Sequence, residues 1–117
     1  MPSYMTDTTR KSLIDAVLLK LPGVVGKKLN DLDAYFVSDR MFACIAKGGG
    51  IGIRLPAATV TNLQFSRGDV SPFQPGGLSA GATREWLQID RADAADYAKD
   101  LELFQVSLDY VKNGRGR

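Results

Sequence analysis

The chain has 117 residues, the usual size of one domain with a single hydrophobic core. Its 44% hydrophobic and 24% charged residues are typical of globular proteins and exclude the disordered and fibrous classes. The net charge of only +2 argues against a protein that binds duplex DNA mainly through phosphates.

Two residue types that carry much of protein chemistry are scarce, since histidine is absent and cysteine occurs once, as Cys44. A single cysteine cannot form an internal disulfide, which suits a reducing compartment. No N-terminal stretch has the pattern of a signal peptide, and no apolar run approaches the roughly 18 residues of a membrane helix. We therefore expect one cytoplasmic domain over 1–117, without membrane contact and with flexible ends at about 1–6 and 113–117.

The first predicted elements are a helix and two strands. A helix over about 6–23 places four apolar residues on one face and ends at Pro22-Gly23. A short strand follows over 24–29. A second strand over 34–38 is rich in aromatic and β-branched residues, and Ser38-Asp39 supplies a tight turn into a third.

Three glycines, Gly48 to Gly50, separate two apolar runs. A two-residue loop at Gly48-Gly49 would pair Cys44 with Ile53 and Lys47 with Gly50, whereas a three-glycine loop would shift this register and bring Lys47 beside apolar residues. The first register is the more consistent, because it gathers one apolar face from Phe42, Cys44, Ala46, Ile51, Ile53 and Leu55. A phosphate-binding loop would instead lead into a helix that begins with lysine, a pattern that does not follow these glycines.

The remaining predicted elements complete the fold class. A short helix over 56–64 and an irregular, Gly/Pro-rich segment over 66–83 precede a strand over 85–89 and a long amphipathic helix. Asp90 is the expected cap of that helix, and Asn113-Gly114 closes it. This order predicts an α+β fold, in which an antiparallel sheet of about four to six strands is covered on one face by the N- and C-terminal helices. The other face, with Ala43, Gly52 and Arg54, would be partly open or covered by the 66–83 segment.

Several short segments in this order resemble the MmcQ/YjbR-like family, which is related to the TfoX N-terminal domain. They are LPGV after the first helix, the hairpin VSDRMFACI, IRLP before the short helix, the loop PFQPGG and the strand REWLQI, followed by the closing helix. The resemblance covers roughly Ser12 to Val111. It implies a compact α+β domain of the kind compared with frataxin-like folds. For function it implies little, since most of the family is unassigned, a DNA-related role is suggested for some members, and no catalytic motif carries over.

No constellation of residues predicts catalysis, a cofactor or a metal. Cys44 has no histidine partner, and its apolar strand face predicts a buried thiol with a raised pKa. The aspartates at 31 and 33, or at 90, 93 and 96, lack the turn glycine and distant glutamate of a calcium loop. We therefore expect no enzymatic activity, no cofactor and no metal.

Five basic residues lie in the sheet region or its turns: Lys27, Lys28, Arg40, Lys47 and Arg54. Tyr35 or Phe36 is expected near Arg54. The leading hypothesis is a non-enzymatic intracellular module whose sheet face or Gly/Pro-rich 66–83 segment contacts a macromolecular partner, either another protein or a second copy. The alternative is nucleic-acid binding through these five residues. The lysines among these residues have another explanation, since lysines at a sheet edge also prevent it from pairing with another chain. A third hypothesis places a small-ligand pocket beneath the 66–83 segment, lined by Phe73 and by Trp86, which is otherwise expected in the core.

Overall fold

The structure is a computed structural model that describes residues 7–29, 32–46, 49–73 and 82–113. Within these ranges the chain forms three α-helices, six strands and two 3₁₀ segments. The helices are α1 (Asp7–Leu18), α2 (Ala57–Ser66) and α3 (Leu101–Lys112), and the strands are β1 (Val25–Leu29), β2 (Leu32–Val37), β3 (Arg40–Ile45), β4 (Ile51–Arg54), β5 (Val70–Pro72) and β6 (Trp86–Ile89). The 3₁₀ segments are Ala82–Glu85 and Ala94–Asp100.

The strands form one antiparallel sheet in the order β1-β2-β3-β4-β6-β5. The predicted α+β class is confirmed, including the helices at the two ends of the chain that flank this sheet. The predicted flexible ends fall almost entirely outside the described residues.

One face of the sheet carries the main core, and we call it the helix face. Tyr35, Ile53 and Leu87 point to it from three different strands and pack with buried residues of the helices. The helical members of this cluster are Ile14, Val17, Leu18, Val60, Phe104, Leu108 and Val111. The opposite face, which we call the far face, carries the alternate residues of each strand, among them Cys44, Gly52 and Trp86.

The turn between β2 and β3 is the predicted one. Ser38 and Asp39 have φ angles of 51° and 63°, so both central residues have the positive φ of a type I′ turn, one of the two turns that favour two-residue hairpins. Beyond it, Phe36 pairs with Met41 and Tyr35 with Ala43, which leaves Phe42 as an extra residue in β3. This bulge brings Phe42 into the core cluster together with Ala43.

The predicted register of the β3–β4 hairpin is wrong by one residue. Cys44 pairs with Gly52 rather than with Ile53, and Ala46 N donates to Gly50 O at 2.7 Å. The three-glycine alternative shifts the pairing in the opposite direction and is not observed either. Both faces of β3 and β4 are buried, so an alternating apolar pattern cannot select the register.

Two predicted side-chain orientations change with this register. Ala43 pairs with Ile53 and lies on the helix face, not beside Gly52 and Arg54 as expected. Cys44 and Ala46 lie on the far face instead of the face of Ile51 and Ile53. Gly48 and the pairing predicted for Lys47 fall outside the described residues.

The predicted cap of the last helix is also wrong. Asp90 continues the extended chain, because its N–H donates to Asp69 O at 2.8 Å and its carboxylate accepts from Gln88 Nε2 at 2.8 Å. The helical region begins later, at the 3₁₀ segment 94–100, where the carboxylate of Asp93 accepts from Ala95 N at 3.0 Å. The α-helical geometry starts only at Leu101.

Arg10 of α1 holds two distant loops through backbone carbonyls. Its guanidinium donates to Gly49 O at 2.8 Å, to Arg91 O at 2.8 Å and to Ala92 O at 3.2 Å. It also lies 5.9 Å from the ring centroid of Tyr97. One side chain thus joins α1, the β3–β4 connection and the start of the C-terminal helical region.

None of the helices in the described residues is long and apolar enough to cross a membrane.

Candidate interaction surface

The lone thiol lies in a position that is unsuited to chemistry. Cys44 is fully buried on the far face, and this burial raises its pKa from 9.0 to about 12. A buried thiol that remains protonated at neutral pH is a poor nucleophile.

The candidate metal-binding aspartates are engaged in other contacts. Asp33 lies 3.7 Å from Lys28 Nζ, Asp96 lies 3.6 Å from Lys99 Nζ, and Asp93 caps a 3₁₀ segment. Over the described ranges, no group of three histidine, cysteine, aspartate or glutamate residues could hold a metal ion. Asp31 is outside those ranges.

Lys27 and Lys28 are neighbours on β1, so their side chains point to opposite faces of the sheet. Lys27 is on the far face, and its ammonium lies 5.2 Å from the ring centroid of Phe36. Lys28 is on the helix face beside Asp33. The two charges are therefore separated in space although the residues are adjacent in the sequence, because neighbouring residues of a strand point to opposite faces.

Arg40 and Arg54 lie on other strands. Arg40 is exposed beside the β2–β3 turn and pairs with Val37. Arg54 donates to Glu85 Oε1 from Nε at 3.0 Å and from Nη2 at 2.7 Å, and it lies 5.9 Å from the ring of Tyr110. Burial and the nearby Glu85 raise the pKa of Tyr110.

The structure does not bring the predicted basic residues onto one continuous surface. Lys27 and Lys28 are on different faces of β1, and β2 and β3 separate β1 from the strand of Arg54. The carboxylate of Glu85 already neutralises Arg54 in part. Lys47 lies outside the described residues.

A different surface is present at the β1 edge, and we call it the edge patch: Val25, Lys27 and Leu29 of β1 with Leu32 and Phe36 of β2. These five side chains share the far face, because Val25 is directly opposite Phe36 and Leu29 is directly opposite Leu32. Val25 and Leu29 keep 51% and 45% of their surface exposed. The patch is therefore apolar, with one ammonium group at its centre.

A cleft of about 350 Å³ lies behind β1 on the helix face, between α1 and the first two strands. Its polar groups are bonded to one another, since Asp15 accepts from Tyr35 Oη at 2.5 Å and from Lys11 Nζ at 2.7 Å. Burial, followed by the hydrogen bond to Asp15, raises the pKa of Tyr35 well above its usual range. The hydrogen bond from Tyr35 to Asp15 therefore joins α1 to the sheet.

The residues predicted to line a ligand pocket instead fill space. Phe73 and Trp86 lie with ring centroids 6.0 Å apart, and the Phe73 ring covers Gly52 so closely that a Cβ there would overlap it. Trp86 is buried, as predicted for a core residue. Much of the segment that would form the roof of the pocket, 74–81, is outside the described residues.

The chain matches no family model and no curated protein. The resemblance to the MmcQ/YjbR-like family therefore stays a prediction.

The edge patch was not predicted from the sequence, although a strand over 24–29 was. The strand VGKKL has a weak sequence pattern. One of its faces carries Val25, Lys27 and Leu29, and the other carries Gly26 and Lys28. Among the described strands β1 pairs only with β2, which places it at the sheet edge, and a local sequence pattern does not encode that pairing.

Proposed function

We propose that this protein is a non-enzymatic intracellular module that binds another protein through the edge patch. The observation that carries the proposal is the exposure of all five β1 residues, with Val25 and Leu29 about half uncovered on one face. Exposed apolar side chains that lie together, rimmed by polar groups, are typical of protein-binding surfaces. The buried thiol and the absence of histidine support the non-enzymatic part, and the single cysteine supports an intracellular location. The order of elements supports the MmcQ/YjbR-like assignment as part of this proposal.

The edge patch is preferred over the other exposed apolar residues because it is a cluster. Phe65 on α2 is 88% exposed, but Thr61 and Asn62, which lie one turn earlier on the same helix face, are polar and exposed. A single exposed apolar side chain is common on protein surfaces and indicates no site by itself.

Photo-crosslinking in cells tests the proposal directly. A benzophenone amino acid at Val25 should give a discrete crosslinked product that protease removes and nuclease does not. The same group at Val106, an exposed valine on α3, is the matched control and should give none. The absence of any product specific to Val25 would contradict the proposal.

Nucleic-acid binding is the competing outcome, and titration with labelled DNA and RNA at about 50 mM and about 200 mM salt separates the two. Contacts to phosphates weaken steeply over this range. We expect no saturable binding at either salt concentration. Binding that falls steeply with salt and is lost in Lys27→Glu would replace protein binding with the alternative function.

A further inference from the structure

We infer that the partner of the edge patch is an extended peptide segment with an apolar–x–acidic–x–apolar pattern, which adds to the sheet as a strand beside β1. This inference rests on the proposed function and specifies the chemistry of the partner. Its first support is the main chain of β1. In an antiparallel pair, alternate residues direct N–H and C=O groups away from the neighbouring strand, and β1 pairs with β2 alone among the described strands. Such an edge accepts an added strand through backbone hydrogen bonds.

The two edges of the sheet differ in a way that selects β1. β5 has only three residues and ends at Pro72, which has no N–H to donate. β1 has five residues without proline, and every one of them is exposed. Natural proteins protect an edge with short strands, proline and lysine. β5 shows the first two features, whereas β1 has only its lysines, of which Lys28 is paired with Asp33.

The side chains of β1 define the sequence pattern of the partner. Val25, Lys27 and Leu29 alternate along one face, so an added strand would place its own alternate side chains beside them. The outer two positions then meet apolar surface, and the central position meets the ammonium of Lys27. Since Lys27 rests on the ring of Phe36, its nearest partner is aromatic, and a carboxylate on the added strand would give it an ionic one.

A second copy of the chain fits this edge poorly. Antiparallel pairing of all five β1 residues with a second copy would place Lys27 opposite Lys27 of that copy, and like charges directly opposite one another destabilise a sheet. Lys28 does not remedy this, because it projects to the helix face beside Asp33. The charge at the centre of the patch thus favours an acidic segment over self-association.

The test uses the full chain and a synthetic peptide that alternates threonine with valine, glutamate and valine, blocked at both ends. The measurement is the change of backbone amide chemical shifts during titration. We expect saturable shifts concentrated in 25–29 and 32–37. A peptide with lysine in place of glutamate should bind about fivefold more weakly, the effect of about 1 kcal/mol in a cross-strand charge pair.

Charge reversal makes the test specific. In Lys27→Glu the preference should invert, so that the lysine peptide binds more tightly than the glutamate peptide. Lys99→Glu, at an exposed lysine of the 94–100 segment, is the matched control and should leave the preference unchanged. N-methylation of alternate peptide amides should abolish binding where the contact is made through the main chain.

Three results would overturn the inference: no shifts in β1, equal affinity for the two peptides, or no inversion in Lys27→Glu. If the crosslink at Val25 persists while the peptide fails, the protein-binding function stands and the acidic-strand inference falls. If the crosslink itself is absent, the proposed function falls. Urea unfolding of Lys27→Glu verifies that the variant is folded, which we expect because Lys27 is exposed.

Discussion

Cys44 shows how burial determines the behaviour of a reactive group. The thiol is enclosed between Ala34 and Gly52, its pairing neighbours on β2 and β4, and no solvent reaches it. Burial disfavours the thiolate, which is why its pKa rises to about 12. The sequence correctly predicted the burial from the apolar strand pattern but assigned the thiol to the wrong face.

The raised pKa of Cys44 predicts a loss of stability at alkaline pH. The unfolded chain loses the thiol proton near pH 9, whereas the folded chain keeps it to about pH 12. The unfolded state is therefore favoured progressively as pH rises through this window, and the full stability is present below it. Urea unfolding midpoints measured from pH 8 to pH 11 should fall accordingly.

Cys44→Ala is the control for this pH dependence. Its midpoint should fall less steeply over the same range, although some decline should remain because the pKa of Tyr35 is also raised by burial. Identical slopes in the two proteins would show that the thiol does not report on folding.

At the scale of elements, the residue that follows β5 covers the far face of the sheet at β4. Phe73 directly follows β5, and its ring reaches over β6 to cover Gly52. A side chain at position 52 would overlap that ring, so glycine is required there by contact rather than by backbone conformation. This contact places the Phe73 ring over β4, although the only described strand that pairs with β5 is β6.

A double-mutant cycle tests this contact. Gly52→Ala should lower the free energy of unfolding by about 1–3 kcal/mol, because the added methyl group forces the Phe73 ring to move. In the Phe73→Ala background the same substitution should cost close to nothing, since the overlapping ring is gone. Gly68→Ala, where no atom lies within 4 Å of the added Cβ, is the control with an expected change within about 0.5 kcal/mol. Additive effects in the cycle would mean that another neighbour makes position 52 intolerant.

The elements themselves were largely predictable from the sequence, and the exceptions have physical reasons. The Ser38-Asp39 turn and the strands around it follow from local patterns. β5 was missed because three residues that end in proline carry no periodic signal. The β3–β4 register was missed because apolar residues on both faces make two registers equally consistent with burial.

The candidate surface was less predictable than the fold, because it depends on contacts between distant residues. Arg54 and Glu85 are 31 positions apart, so their ion pair could not be read from the charge pattern. The edge position of β1 depends on the whole strand order. A list of basic residues therefore does not show which of them share a surface.

At the scale of the molecule, one buried carboxylate connects three regions. Asp100, 4% exposed at the junction between the 3₁₀ segment and α3, accepts from Arg91 at 2.8 and 3.0 Å and from Arg67 at 3.0 Å. Arg67 also donates to Asp69 at 2.6 and 2.8 Å, which lowers the pKa of Asp69. The network joins the entry to β5, the exit from β6 and the last helix.

Asp100→Asn should reduce the free energy of unfolding by about 3 kcal/mol, because it removes the carboxylate that is bonded to Arg91 and leaves Arg67 with Asp69 alone. The measurement is urea unfolding at neutral pH. Asp109→Asn, at an exposed aspartate of α3 bonded only at the surface to Gln105, is the control and should change stability by less than about 0.5 kcal/mol. A loss below about 1 kcal/mol for Asp100→Asn would indicate that both arginines relax into solvent.

The strand order also determines at which point of synthesis the sheet can be completed. β6 is the last of the described strands, yet it is inserted between β4 and β5, which precede it. Until Ile89 has emerged from the ribosome, β6 is not available. One side of β4 then lacks its neighbour in the sheet, and β5 lacks the strand with which it pairs. A nascent chain of this protein therefore carries an open position in its sheet from the completion of β4 until β6 emerges and fills it.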